Sequence, residues 1–517
     1  MISSLDTQRR SIGPAVMPVI MLALAAVVSA VPALNLAAPS IARDLDATGT
    51  QISWVVDGYA LVFAALLLLG GALGDRYGRR RALVAGLLVF AAGAAIAMIV
   101  DTPGELIAAQ GVLGIGAALV MPATLSTITS TFPPEQRIRA VGTWAGVSGA
   151  SAMLGLLAAG VLLEFWSWRS VFAFNIVLGL IALVGALRFI PESADPTAPR
   201  LDVSGALISV VGLGVLVYSI IEAPTQGWAS GRTVGGLAAG LVILAAFIGW
   251  ELTRTEPLLD PRLFRLPGFS AGTLTVTLQF FGFFGFVFLI VQYLQLVLGH
   301  SALIAALCVV PLALVIMPAS RGLAPRAATR FGSMQVMVVG LVLIAAGFAV
   351  LAQLDVNSPY LLLLGGLLPL GVGMGLAMTP ATNAITDALP PAKQGVGSAM
   401  NDLARQLGAA LGIAVLGSIT QSIYRADLPP AGFPPQMPAD KIDKVRGSLG
   451  AATHMADQAP AGMAEAARRV AEQAQTAFTD GMQTALLWAT ALLVVTAIAV
   501  AGILAAKARG QHDTAEP

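Results

Sequence analysis

Charge and cysteine are what this sequence has least of. Of its 517 residues, 11% are Asp, Glu, Lys or Arg, against 57% hydrophobic. A soluble globular protein carries about 25% charged residues. Most of this chain therefore sits where charge is not tolerated, which excludes a water-soluble domain. The single cysteine, Cys308, excludes an intrachain disulfide. It lies in an apolar run and reads as a small buried hydrophobe. Three scattered histidines and that one thiol leave no metal-ligand set and no nucleophile–base pair, so no enzyme is expected. No G-x-x-x-x-G-K-[ST] loop occurs, so neither ATP drive nor a cofactor is expected. The net charge of +1 leaves no basic footprint for nucleic acid. Lysine is scarce too, four against 25 arginines. With abundant Ala and Gly, that bias points to a GC-rich bacterial genome.

Long apolar runs are what the sequence does contain. About 20 apolar residues cross the hydrocarbon core as a helix. Fourteen such runs occur, from 14–37 to 482–506, with 203–223 and 233–252 near the middle. An all-α integral membrane protein of fourteen transmembrane helices is expected. Arg9 and Arg10 before the first run mimic a signal peptide, but the run is too long for one and a second follows at once.

Basic residues set the orientation. With a cytoplasmic N-terminus, the inner loops hold Arg9, Arg10, Arg76, Arg79, Arg80, Arg81, Arg188, Arg200, Arg254, Arg262, Arg265, Arg321, Arg326, Arg330, Lys393, Lys507 and others. The short outer loops hold only Arg43, Arg169 and Arg232. The positive-inside rule then puts both termini in the cytoplasm. One outer segment, 424–480, is long. It opens Pro-rich, turns Ala-rich with mixed charge, and reads as a solvated connector ending in an amphipathic helix.

Two loops repeat. GALGDRYGRRRAL (Gly71–Leu83) follows span 2, and RGLAPRAATRFGSM (Arg321–Met334) follows span 10. Arg76-Tyr77-Gly78 aligns with Arg330-Phe331-Gly332. Two six-span halves with spans 7 and 8 inserted between them explain the offset, and parallel six-span halves are known among secondary transporters.

On these residues the chain resembles the fourteen-helix multidrug:proton antiporter branch of the major facilitator superfamily. The most specific piece is G-x-L-G-D-R-x-G-R-R: Gly71, Leu73, Gly74, Asp75, Arg76, Gly78, Arg79 and Arg80. SWVVDGYAL (Ser53–Leu61), MPATLSTI (Met121–Ile128), QYLQLVLGHSAL (Gln292–Leu303) and NDLARQLGAALGIAVLG (Asn401–Gly417) support it. The resemblance implies a major facilitator fold: an N-terminal six-helix bundle (1–190), two inserted helices with linkers (191–266), and a C-terminal six-helix bundle (267–517) carrying the outer loop 424–480. It implies a monomer in the inner membrane of a bacterium, exporting small amphipathic drugs in exchange for protons by alternating access. It also implies a gating role for the motif, with Asp75 holding the two halves together at the cytoplasmic face.

Intramembrane charges are candidate functional sites because each costs roughly 2.5–3.5 kcal/mol at mid-bilayer. Asp57 is the expected proton or cation site. Asn401, Asp402 and Arg405 form a second cluster, with Asp402 and Arg405 at i,i+3 placed to pair as a clamp or coupling element. Arg405 matches the Arg of the family's R-Q-x-G-x-x-x-G segment. Trp54, Tyr59, Gln110 and Trp144 are candidate cavity residues. Gly149, Gly155 and Pro122 are candidate hinge positions.

Three positions depart from the family pattern. Ala30 stands where span 1 carries an Asp, Gln110 where span 4 carries an Arg, and Leu156 where span 5 has the Pro of Gly-Pro. Two other readings therefore stay open. One is a same-fold facilitator or exporter of lipid or metabolite without proton coupling. The other is a transport-inactive scaffold or sensor.

Overall fold

The computed structural model describes residues 15–194, 202–255, 257–389, 394–429, 433, 437–460 and 463–513. Arg9, Arg10, Arg200 and Lys393 of the orientation argument lie outside them. The first bundle comprises α1 (Val16–Asp44), α2 (Gly49–Tyr77), α3 (Arg79–Ile99), α4 (Pro103–Thr131), α5 (Pro134–Phe165) and α6 (Arg169–Phe189). The inserted pair is α7 (Val203–Gln226) and α8 (Gly231–Thr253). The second bundle comprises α9 (Pro267–Gln292), α10 (Ala302–Pro318), α11 (Ala324–Phe331), α12 (Ser333–Leu351), α13 (Tyr360–Asp387), α14 (Gln394–Asp427) and α17 (Ala464–Asp513), with short helices α15 (Ala439–Gly447) and α16 (Leu449–Asp457) between the last two. Among the described residues, 14 helical stretches are long and apolar enough to cross a membrane. Helices α1, α2 and α4 have 29 residues each. At 1.5 Å per residue that is roughly 44 Å, well beyond a hydrocarbon core of about 30 Å.

Local sequence explains where the helices start. Thr48 and Gln51 exchange side-chain and backbone bonds as a capping box on α2, and Thr102 and Glu105 do the same on α4. Ser230 and Ser301 cap α8 and α10. Two stretches differ from expectation. The tenth span does not end near residue 323: a π-turn at Ala319–Leu323 carries it into α11. The last span, expected from 482, starts at Ala464 in one 50-residue helix. The Ala-rich amphipathic stretch contains no proline, so nothing separates it from the apolar run behind it.

The two bundles repeat one packing scheme. Helix α3 crosses α4 where a Cβ on Gly116 would stand 2.7 Å from the Gly86 carbonyl oxygen, and α12 crosses α13 where one on Gly373 would stand 2.5 Å from that of Gly340. Small residues let helix backbones approach this closely in lipid, where hydrophobic drive between helices is missing. The bundles meet along two seams, α2 against α14 and α5 against α10. Helix α7 lies on the first seam, where Val217 and Ile221 pack with Leu61, Ala64 and Ala414. It is bonded to both bundles: Trp54 Nε1 donates to Glu222 Oε1 (3.0 Å), and Ser418 Oγ donates to the Ile220 carbonyl (2.8 Å). The end carrying Gly78 and Gly332 is called the motif end below, and the end carrying α15 and α16 the cap end.

Candidate functional site

The motif turn follows from its glycine. Gly78 has φ 119° and ψ 127°, a backbone conformation costly to any residue with a Cβ. Its N–H donates to the Gly74 carbonyl at 3.0 Å, ending α2, and α3 starts at the next residue. Gly71 sits against Pro122 of α4, and Gly74 against Ala82 of α3. Asp75 does not cap α3, which has no side-chain cap. It pairs with Arg79 one turn on, Oδ1 to Nε at 2.9 Å, with the Asp75 side chain 42% exposed. In this state the acid is engaged within its own bundle. Arg76 lies with its guanidinium carbon 5.9 Å from the Tyr77 ring centre.

Glu192, absent from the sequence expectations, completes the turn. Its carboxylate accepts from the Arg80 N–H (3.3 Å) and lies 3.6 Å from Arg81 Nε. Arg79 N–H donates to the Ser193 carbonyl at 2.8 Å, and the Arg80 guanidinium to that of Leu187. The segment after α6 thus straps the motif. Its signal in the sequence was an acid placed just beyond Arg188, after the end of the sixth span.

The second copy of the turn is real. Gly332 has φ 93° and ψ 146°, and its N–H donates to the Ala328 carbonyl at 2.9 Å. Arg330 lies over Phe331 at 5.3 Å. Thr329 occupies the place of Asp75 and Ser333 that of Arg79, so this copy lacks the ion pair.

Inside the first bundle, Asp57 is 0% exposed and neither carboxylate oxygen has a hydrogen-bond partner. An ionised carboxylate in that setting is costly, so the site calls for a proton or a cationic partner. Gln110 is also buried, with an unpartnered Nε2, and lies against Gly58, the residue after Asp57. The other expected cavity residues each make a hydrogen bond between helices. Tyr59 donates from its hydroxyl to the Val27 carbonyl (2.9 Å) and so ties α2 to α1. Trp144 Nε1 donates to Thr124 Oγ1 (3.0 Å), tying α5 to α4. Trp54 faces the inserted helix, bonded to Glu222 and 5.8 Å from the Tyr218 ring. Gly155 packs on α1, where a Cβ would stand 2.5 Å from the Ser29 carbonyl oxygen. Pro122 lies within α4, and the surroundings of Gly149 on α5 lie outside the described side chains.

The second cluster is spread over two contacts. Asn401 accepts from Thr382 Oγ1 at 3.0 Å. Arg405 places its guanidinium 5.3 Å from the Phe280 ring centre, and its buried Nε has no hydrogen-bond partner. Asp402 is buried. Two further buried amides escaped the sequence reading, Asn35 on α1 and Gln279 on α9, each with both side-chain polar atoms unpartnered. Their signal was an amide inside an apolar stretch, Asn35 in the first span and Gln279 in the ninth.

Two six-helix bundles, an inserted pair and a glycine-pivoted basic turn define a transporter architecture, and a family model for the Major Facilitator Superfamily matches residues 16–413. The chain belongs to that superfamily and is a multi-pass membrane transporter. Among its relatives, the multidrug efflux pump LfrA of Mycolicibacterium smegmatis is 35% identical over 472 residues, 91% of this chain and 92% of that one. The methyl viologen resistance protein SmvA of Salmonella typhimurium is 31% identical, covering 90% and 93%. The tetracenomycin C resistance and export protein of Streptomyces glaucescens is 33% identical, covering 75% and 72%. Among solved structures, a bacterial homologue of the human lysosomal transporter Spinster aligns with TM-score 0.64 at 17% identity, over 96% of this chain and 98% of that one. That likeness concerns the fold alone.

Proposed function

We propose that this transporter exports amphipathic toxic compounds from a bacterial cytoplasm across the inner membrane in exchange for protons, by alternating access. Asp57 is the proton site, Gln110 its polar neighbour, and the motif around Asp75 the cytoplasmic gate. The single observation that carries the reading is Asp57, fully buried in the membrane-spanning bundle without a partner. A carboxyl group there is held neutral by a proton, and release of that proton favours a cationic substrate or a wetter state of the cavity. The relatives named for multidrug efflux and resistance supply the substrate class.

The motif end is the cytoplasmic end, with both termini on that side. It carries Arg76, Arg79, Arg80, Arg81, Arg188, Arg321, Arg326 and Arg330. At the cap end, Arg169 is held between Asp44 and Asp101, at 3.0 Å from each. The moving parts are the units 1–190 and 267–517, with 191–266 riding on their seam, and one chain suffices for a path. Arg405 acts as a clamp on the second bundle.

Dye efflux measured in everted vesicles with an imposed pH gradient tests this. Uptake is expected to collapse when the gradient is dissipated. A second reading, a same-fold facilitator, rests on Gln110 where the family carries an Arg. Uptake that survives dissipation selects it and removes the antiport mechanism.

A further inference from the structure

We propose that residues 438–458, helices α15 and α16, are the gate of the cap end: a helical cap carried by the second bundle, which closes onto the first bundle in the state seen here and leaves it when that end opens. The inference rests on the alternating-access reading and adds to it the device that seals one side.

The attachment of the cap is lopsided. On the side of the second bundle it is tied by buried and half-buried hydrogen bonds to backbone. Tyr424 donates to the Val445 carbonyl (2.7 Å). Arg446 donates from Nε to the Leu428 carbonyl (2.6 Å) and from Nη2 to that of Arg425 (3.1 Å). Gln421 Nε2 donates to the Gly447 carbonyl at 3.2 Å. Helix α16 packs along α17, with Leu449 and Ala452 buried. These bonds move with α14 and α17.

Toward the first bundle the contacts are of another kind. Lys444 Nζ pairs with Asp46 Oδ2 at 2.7 Å, and the two side chains are 54% and 63% exposed. Asp46 sits on the α1–α2 turn with φ 51°. Beside it small residues pack closely. A Cβ on Gly447 would stand 3.5 Å from Thr48 Cβ, and one on Gly450 would stand 3.3 Å from Ala42 Cβ. An exposed ion pair contributes little, and glycine contacts add no directional bond. Parting therefore takes place between cap and first bundle, and the cap stays on the second. Hydrogen bonding to Asp46 raises the pKa of Lys444 above its ordinary value. Its ammonium therefore stays charged through the neutral range. Beneath the cap, Gln295 Nε2 on the π-turn after α9 donates to the Leu36 carbonyl (2.9 Å), and Ser53 lies buried with its Oγ 3.2 Å from where a Cβ of Gly417 would stand. The cap thus covers the place where the bundles touch.

The lone cysteine makes the test direct. In a Cys308→Ser background, Thr48→Cys with Gly447→Cys places two thiols at a Cβ separation suited to a disulfide. The bond is expected to form under mild oxidation, to lower dye transport at least tenfold, and to release it on reduction. If the reduced protein is inactive, Ala42→Cys with Gly450→Cys carries the same test. A second readout needs no substrate. Ser53→Cys, in the same background, is labelled by an impermeant maleimide only when the cap end opens, and Lys444→Glu, which removes the pair and sets a like charge against Asp46, is expected to speed labelling about twofold. The proposal is overturned by a disulfide that forms and leaves transport intact, by failure of both pairs to cross-link, or by labelling indifferent to Lys444→Glu. Failure of dye transport in the unmodified protein counts against the drug-efflux reading, and the labelling result still decides the gate.

Discussion

Gly78 and Gly332 hold nearly the same backbone conformation, φ 119° and 93°, at equivalent turns of the two bundles. Each ends one helix, starts the next, and follows an Arg-aromatic pair. The ion pair is present in one copy only, between Asp75 and Arg79. One duplicated turn has kept its pivot in both halves and its charge device in one.

Replacing the pivot tests whether its geometry is required. Gly78→Ala places a Cβ 2.5 Å from Glu192 Oε1, at a φ that L-residues resist. About 1–2 kcal/mol of backbone strain is expected, with further loss from the displaced Glu192. Thermal unfolding in detergent should shift down in Gly78→Ala and in Gly332→Ala. An unchanged midpoint in both alanine variants would contradict the assignment.

Tyr59 separates packing from substrate contact. Tyr59→Phe removes the bond to the Val27 carbonyl and keeps the ring. A stability loss of about 0.5–1.5 kcal/mol is expected, with dye affinity unchanged. A large change in affinity at unchanged stability would return Tyr59 to the cavity.

Overpacking probes the contact of α5 with α1. Gly155→Leu has no room beside the Ser29 carbonyl. A loss of about 1–3 kcal/mol is expected, because interiors packed to this density do not absorb added methylenes. A variant as stable as the parent protein would show that the two helices part readily at this point.

Trp54 reports on the inserted pair. Trp54→Phe removes its bond to Glu222 and leaves the ring face toward Tyr218. Retained transport with lowered stability is the expected outcome, measured side by side in the same vesicles. Abolished transport in a stable variant would place Trp54 in the path.

The architecture was legible in the sequence because hydrocarbon imposes its length on every span. The duplication was legible because a turn needing positive φ keeps its glycine, and Gly78 and Gly332 stand in matching tripeptides. Helix rotation was not legible. A span that is apolar all round has no period to say which face meets which neighbour. Hence the interhelical hydrogen bonds of Tyr59, Trp144 and Trp54, chosen as cavity candidates by type, could not be foreseen. Glu192 and Lys444 were hidden for another reason. Their partners, Arg80 with Arg81 and Asp46, are more than a hundred residues away, beyond any local pattern. The segment 424–480 read as a solvated connector because its buried side chains, among them Tyr424, Leu428, Val445, Leu449, Val470 and Phe478, are interspersed with prolines and charged residues that mask any apolar run.

Proton movement driven by substrate, recorded with a pH-sensitive dye in proteoliposomes without an imposed gradient, tests the central claim about Asp57 most directly. Adding a cationic amphipathic substrate to the unmodified protein is expected to move protons in the opposite direction to the substrate. Asp57→Asn, whose amide removes the titrating group at nearly constant volume, is expected to stay folded, to pass substrate down its gradient, and to move no protons. Proton movement in Asp57→Asn equal to that of the unmodified protein would contradict the account.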